Sequence, residues 1–422
     1  MPNSHASDTT AQLSNQDLAQ RSASPAAAAD DPSRRGDDFL IARGGPFYDL
    51  QRQLGLLHER ALNAGRRAAI LVGLAWGVPL VLSAVAGHAI GPASTRFLLL
   101  DLGAWARFLV AIAIFVLMER MVEERLRVHL RQFARAPLIA PGAQPAAAEA
   151  VVHALRRRDL RLAEMICVVA AYAITLGGAW LVLAADASSW LVTVGPEGAR
   201  LTAAGWWCAL VSSPLFWFLL LRWLWRHAVG GLLLRDLARL ELRLVATHPD
   251  GAGGLAFIGQ YPNAFAAFVF ALSCVLGAAI ARTLLQGELS PATYAQLMGA
   301  WLFVVIILFG APLLAFTGPL KRLKEATVLA ASALATPRER AVERELLGSN
   351  ISAATDAEAT AASEIPDAAK LYAAARKLST FLISRSAIVP VAAAALLPLV
   401  AAGATQLPIR ELLKIARNLL PL

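Results

Sequence analysis

Seven stretches of about 20 mostly apolar residues constrain this chain more than any other feature, because an α-helix of that length crosses a hydrocarbon core of about 30 Å. They run 68–90, 97–118, 165–185, 203–221, 264–281, 299–316 and 387–407. A chain inside lipid must pair its own backbone polar groups, and with no convincing series of strands the answer is helical. The expected fold is therefore an all-α, polytopic transmembrane bundle of six to seven spans with amphipathic cytoplasmic helices. The count stays open because the last stretch contains Pro390 and Pro398, which suit either a kinked span or a segment that dips into the membrane and returns. An apolar content of 57% over 422 residues agrees with a membrane protein.

Orientation follows from the basic residues. The segments 48–67, 119–164, 222–263 and 317–385 hold four, nine, five and ten Lys and Arg, whereas the alternate connections offer Arg96, Arg200 and Arg282. The positive-inside rule then places the N-terminus and the long connections in the cytoplasm. A tail with Arg410, Lys414 and Arg417 would end outside if the seventh segment crosses fully, unless it lies on the surface as an amphipathic helix. The net charge of +9 is thus a topological signal, and with no recognition motif beside it nucleic acid is not an expected partner. Residues 1–44 are rich in Ser, Ala, Asp and Gln, lack an apolar signal core and read as a disordered tail before a single membrane domain, 45–422.

The cytoplasmic connections carry helical patterns. Residues 119–135 extend the second span, 146–164 lead into the third, and 222–246 extend the fourth, with Leu233, Leu237, Leu240 and Leu244 on one face and Arg235, Arg239 and Arg243 in a stripe. Such a stripe reads first as a solvated or phospholipid-facing surface, and second as an anion funnel. Thr336-Pro337-Arg338-Glu339 matches a capping box, which predicts one helix ending near Ala335 and another starting there. Residues 348–363 read as a flexible link, and 367–384 as a helix entering the last apolar segment.

The densest group of special residues is the turn Thr247-His248-Pro249-Asp250-Gly251-Ala252-Gly253-Gly254. Pro249 disfavours helix at His248, Asp250 can cap the next segment, and Gly251, Gly253 and Gly254 allow positive φ. One reading is a corner returning the chain to the fifth span. The other makes His248 and Asp250 a ligand-binding or titrating pair beside a glycine nest of N–H groups. Metal binding is not expected, since the other cytoplasmic histidines, His58, His129, His153 and His227, fit no ligand spacing, and no cofactor is implied. Cys167, Cys208 and Cys274 lie within apolar spans and read as small buried residues.

Asp101 and Arg107 raise a second question, because a charge at mid-bilayer costs about 2.5–3.5 kcal/mol. Six residues apart, they sit about 240° around a helix and about 9 Å along it, so they are not expected to pair on one face. Asp101 can cap the helix near the outer interface while Arg107 snorkels; alternatively Arg107 faces the bundle, with His88 or another polar group, and lines a conduction path. No motif of a nucleophile elbow, zinc protease, phosphate loop or dinucleotide fold occurs, and Ser212-Ser213-Pro214 reads as helix packing, so no catalytic residue is assigned and enzyme function is not expected.

Several stretches taken together resemble a known family. They are Phe108-Leu109-Val110-Ala111 after Arg107, Glu119 with the Arg-rich run to Phe133, Leu242-Arg243-Leu244-Val245-Ala246 followed by His248-Pro249-Asp250-Gly251-Ala252-Gly253-Gly254-Leu255, and Pro408 with Glu411-Leu412-Leu413. In this order they resemble a family of uncharacterised bacterial multi-pass inner-membrane proteins carrying a His-Pro-Asp-x-Ala-Gly-Gly-Leu turn. The resemblance covers most of the chain from Gly45 and implies topology without an activity; it also implies a more often basic residue where this chain has Gly251. Two functions remain, a transporter or channel-like protein and a non-transporting scaffold or sensor acting through its cytoplasmic helices on a protein partner or a second copy. A continuous polar cavity from Arg107 to His248 would favour the first, and a solid apolar bundle the second.

Overall fold

The computed structural model describes residues 44–55, 63–89, 97–184, 188–196, 198–285, 290–348, 368–383 and 385–405, with two isolated positions, 410 and 417. The tail before Gly44, His58, most of the 348–363 link and most of the C-terminal tail lie outside them. The described chain is all-α, apart from one short hairpin, and seven of its helices are long and apolar enough to cross a membrane.

A short helix, α1 (Pro46–Gln53), precedes the first long one, α2 (Ala64–Val85). Next come α3 (Leu102–Arg135), α4 (Gln144–Arg158) and α5 (Arg161–Ala184). The hairpin β1 (Val192–Gly195) and β2 (Gly198–Leu201) leads into α6 (Ala203–Ala238). A 3₁₀ stretch, Ala256–Phe265, starts α7 (Ala266–Leu285). Then follow α8 (Pro291–Gly310), a 3₁₀ link, α9 (Thr317–Leu347), α10 (Ala368–Lys377) and α11 (Arg385–Gly403). Short polar residues cap three of the long helices, since an oxygen close to the backbone can satisfy the unpaired donors of a first turn. The side chains of Asp101, Thr202 and Ser290 accept from backbone N–H groups at the starts of α3, α6 and α8.

Prolines explain how side chains tie these helices together. Pro214 has no N–H to give the carbonyl of Leu210 four residues back, and the Tyr172 hydroxyl of α5 donates to that carbonyl at 3.1 Å. Pro312 likewise leaves the Leu308 carbonyl without its usual donor, and Nε2 of His227 on α6 lies 3.0 Å away. His227 is therefore part of the packed core, as its ring contacts with Phe265 and Phe309 at 4.9 and 4.6 Å confirm. Wide π turns at Gly73–Gly77, Trp105–Ala111 and Cys208–Ser212 interrupt α2, α3 and α6. Their neighbours lock together: Trp76 and Trp105 lie 4.8 Å apart, and the indole of Trp207 donates to the Leu74 carbonyl.

Four details differ from the sequence expectations, and one that the sequence left open, the last apolar segment, is resolved. The basic helix ends at Ala238 instead of Ala246, because residues 241–243 leave it to meet residues 138–140: Ala140 donates to the Glu241 carbonyl and Arg243 to that of Leu138. Arg235, Arg239 and Arg243 therefore form no helical stripe. α9 runs unbroken through Pro337, and the Thr336 hydroxyl bonds back to the Ser332 carbonyl instead of capping a new helix. The expected helix 146–164 breaks at Asp159–Leu160, which frees α4 to lie against α6, where Arg157 pairs with Asp236 at 2.8 Å. α10 stops at Lys377, after which the Lys324 ammonium and the backbone of Gly251 hold the chain at Leu378 and Ser379. The segment with Pro390 and Pro398 is one continuous helix packed on α7, with the Tyr294 hydroxyl donating to the Leu399 carbonyl at 2.5 Å.

Candidate functional site

Asp250 organises the central turn. Its Oδ1 accepts from the N–H groups of Ala252 and Gly254 at 2.9 and 3.1 Å, and Oδ2 accepts from Ala256 at 3.0 Å, so one carboxylate caps the 3₁₀ start of the fifth span. Gly251, Gly253 and Gly254 adopt φ of 64°, 69° and 98°, a region that a side chain would strain. The three glycines take the positive φ that the sequence allowed, but of their N–H groups that of Gly254 is engaged by the chain's own carboxylate and that of Gly251 donates to the His248 carbonyl. Nδ1 of His248 lies 2.8 Å from Oδ1 on the exposed side. Burial opposes ionisation of Asp250, but the three N–H donors and His248 outweigh it and hold the carboxyl below the ordinary aspartate value of 3.8. The Gly251 carbonyl accepts from Ser379 N–H, binding the turn to the irregular segment after α10.

Asp101 and Arg107 sit at the other end of the bundle. Asp101 caps α3 through Gly103 and Ala104, and its second oxygen accepts from the indole of Trp190, a buried residue just before the hairpin. Arg107 turns back to donate to the Gly103 carbonyl at 3.1 Å. The two side chains thus converge on Gly103, closer than a regular helical wheel allows, because Asp101 stands outside the helix and Arg107 lies in a π turn and points toward the N-terminus.

The structure does not bring these two sites together. Between them runs a stack of rings from several helices: Phe115 meets Phe216 and Phe268, Phe268 meets Phe309, and Phe309 meets Phe265, with centroids 5.2–6.1 Å apart.

A third group, not singled out in the sequence, is the most concentrated charge in the described residues. Arg67, Glu119, Glu164, Arg222 and Arg226 come from α2, α3, α5 and α6 and are each at most 6% exposed. Arg67 Nη1 lies 2.6 Å from Glu119 Oε2, and Arg222 Nε 3.0 Å from Glu164 Oε1. Arg222 and Arg226 also approach the other oxygen of Glu119, at 3.6 and 3.9 Å. The strap before α1 completes the group: the Gly44 carbonyl accepts from both arginines at 3.3 Å, and Phe47 N–H donates to Glu164 at 2.7 Å. Three guanidinium groups against two carboxylates leave an excess of one positive charge, and Arg226 Nη1 has no hydrogen-bond acceptor among the described residues. Buried charge of this kind survives only when paired and hydrogen-bonded, so the cluster fixes the relative height of four helices.

A signal for it was present. Arg67 directly precedes the first apolar stretch, Glu119 follows the second, Glu164 precedes the third and Arg222 follows the fourth. Helices that alternate in direction bring those four boundaries to one end. Comparison of the chain with protein-family models, curated proteins and solved structures found no match.

Proposed function

We propose that this chain is a non-transporting scaffold or sensor of a bacterial inner membrane, its N-terminus in the cytoplasm, acting through its cytoplasmic helices on a protein partner or a second copy. The observation that carries the reading is the chain of ring contacts that packs α3, α6, α7 and α8 together in the apolar core, through Phe115, Phe216, Phe268, Phe309 and Phe265. Continuity supports it too: α3 and α6 each run from an apolar span into a basic extension, so a shift in the membrane moves the extensions rigidly. The face of Leu233 and Leu237 is buried within the chain, against α6's neighbours, so a partner would engage a different surface. Leu329 on α9, 72% exposed, is the kind of position such a partner would cover. On the same reading the chain is one of the bacterial inner-membrane proteins that carry the His-Pro-Asp turn, and it has no enzymatic activity.

Reconstitution in liposomes tests it. Ion and solute flux should equal that of empty vesicles, and a flux abolished by Arg107→Ala or His248→Ala would establish transport instead. A photo-crosslinker at Leu329 should give a discrete adduct in native membranes, whereas one at exposed Arg120 should not. The transporter or channel-like reading is favoured by one observation, the three π turns clustered in α2, α3 and α6, since such turns often mark functional sites.

A further inference from the structure

One sizeable cavity lies outside both predicted sites. It is an open groove of about 690 Å³ between α5 and α6, within the range of about 300–1,000 Å³ typical of small-ligand sites. Its walls are Val168, Val169 and Tyr172 from α5 and Leu210, Leu215 and Phe218 from α6. Charge enters at one end alone, where Arg161 and Glu164 lie beside Pro46, Phe47 and Leu50 of α1. Glu164 is engaged by Arg222 and by Phe47 N–H. Arg161 is exposed and has no ion-pair partner among the described residues.

We propose that this groove holds one phospholipid of the surrounding membrane, an acyl chain between α5 and α6 and its phosphate at Arg161. Three features select that occupant. From Arg161 to Tyr172 the groove descends eleven residues, about 16 Å at 1.5 Å per residue, which is close to half of a hydrocarbon core of about 30 Å. A partner's transmembrane helix would need contact over the full thickness, whereas a single acyl chain needs one leaflet. The charged end also has the right sign, since Arg161 stands next to the run Arg156-Arg157-Arg158 on the basic side, where guanidinium forks suit phosphate oxygens. Finally, α1 forms the groove's rim at headgroup level: Phe47 packs on Phe218 with centroids 4.9 Å apart and lies under Arg222, while Leu50 stays half exposed. The lipid would thus touch the helix that the buried ion cluster holds in place.

The inference rests on the reading that α5 and α6 cross a membrane, which carbonate extraction of native membranes checks by itself. The test is native mass spectrometry of the full chain after a delipidating detergent wash and incubation with phosphatidylglycerol vesicles. Wild type should retain one phospholipid. Val169→Trp, which fills the groove, should lower retention at least about tenfold, and Arg161→Ala, which removes a charge-assisted contact, by about tenfold. Phe303→Trp, at an exposed position on α8, should change nothing. If Val169→Trp fails to fold, Leu210→Trp serves the same purpose from the opposite wall. Equal retention in all variants means surface lipid only and overturns the proposal, as does a wild-type dimer that dissociates in the Trp variant.

Discussion

Two polar regions at the basic end of the bundle solve the same problem in opposite ways. At the central turn, one carboxylate is satisfied within six residues of its own position by N–H groups that three glycines orient toward it. In the ion cluster, five charged side chains from four helices and a strap find partners up to 182 positions away. The first is local, self-contained and half exposed. The second is long-range, dry and carries an uncompensated positive charge. A local device sets the angle of one corner, whereas a shared one makes four helices depend on each other.

That difference predicts the largest effect for Glu119. Its carboxylate serves Arg67, Arg222 and Arg226, so Glu119→Ala leaves buried guanidinium groups without their common anion. Removing one partner of a buried pair costs about 3–5 kcal/mol, enough to prevent folding of many membrane domains. Thermal unfolding in detergent should show a large drop, and a loss under about 1 kcal/mol would mean that water reaches the cluster. The converse variant sharpens the point. Replacing Arg67 and Glu119 together by Met and Leu removes the charges in matched fashion and should be far milder than either single loss.

The strap comes next. Gly45 has φ of 88°, and a Cβ there would lie 2.5 Å from Glu164 Oε1, so Gly45→Ala meets both backbone strain and a carboxylate held on two sides. Strain of this type costs about 1–3 kcal/mol. Limited proteolysis should show α1 released while the spans stay protected; an unchanged pattern would show that the strap does not depend on this geometry.

Legibility in the sequence follows the same division. The seven apolar helices were visible because their length and composition are properties of contiguous residues. The turn was visible for the same reason, including the Asp250 cap and the glycines. The ion cluster was not, because no local window contains it; only the boundary charges Arg67, Glu119, Glu164 and Arg222, taken together with alternating helix direction, point to it. Residues 240–244 misled for a different reason. Leu240 and Leu244 continue the spacing of Leu233 and Leu237, yet Glu241 to Leu244 also alternates in polarity, and pairing with residues 138–140 decided for the extended form. At Thr336-Pro337 a helix-start pattern was overridden because a proline is tolerated where the hydroxyl before it turns back to Ser332.

The smaller effects belong to the turn. Asp250→Ala removes a cap that engages three N–H groups and should cost about 1–2 kcal/mol, with the fold retained and exchange protection lost chiefly between Gly251 and Phe257. Its pH dependence has a fixed sign. A carboxyl held below its ordinary value of 3.8 stabilises the fold above that pH, and the contribution is lost as pH falls through the lower folded value. Protection of residues 251–257 should therefore hold constant from pH 7 to about 5 and decline only under strong acid; a decline already complete above about pH 5 would mean that the Asp250 carboxylate does not control the turn.

His248→Ala provides the smallest expected change and the sharpest separation of the two regions. The ring is 43% exposed and meets Asp250 from the solvent side, while the three backbone donors remain in place without it. An exposed pair of this type contributes about 0–1 kcal/mol, so stability should move by less than about 0.5 kcal/mol. A substantially larger loss would place His248 inside the turn's own support, and the division between a self-sufficient carboxylate and a mutually dependent charge cluster would have to be redrawn. A small loss of stability accompanied by loss of a partner adduct at Leu329 would have a different meaning. It would show that the exposed imidazole is read by another molecule, and that the corner which positions it serves as a platform.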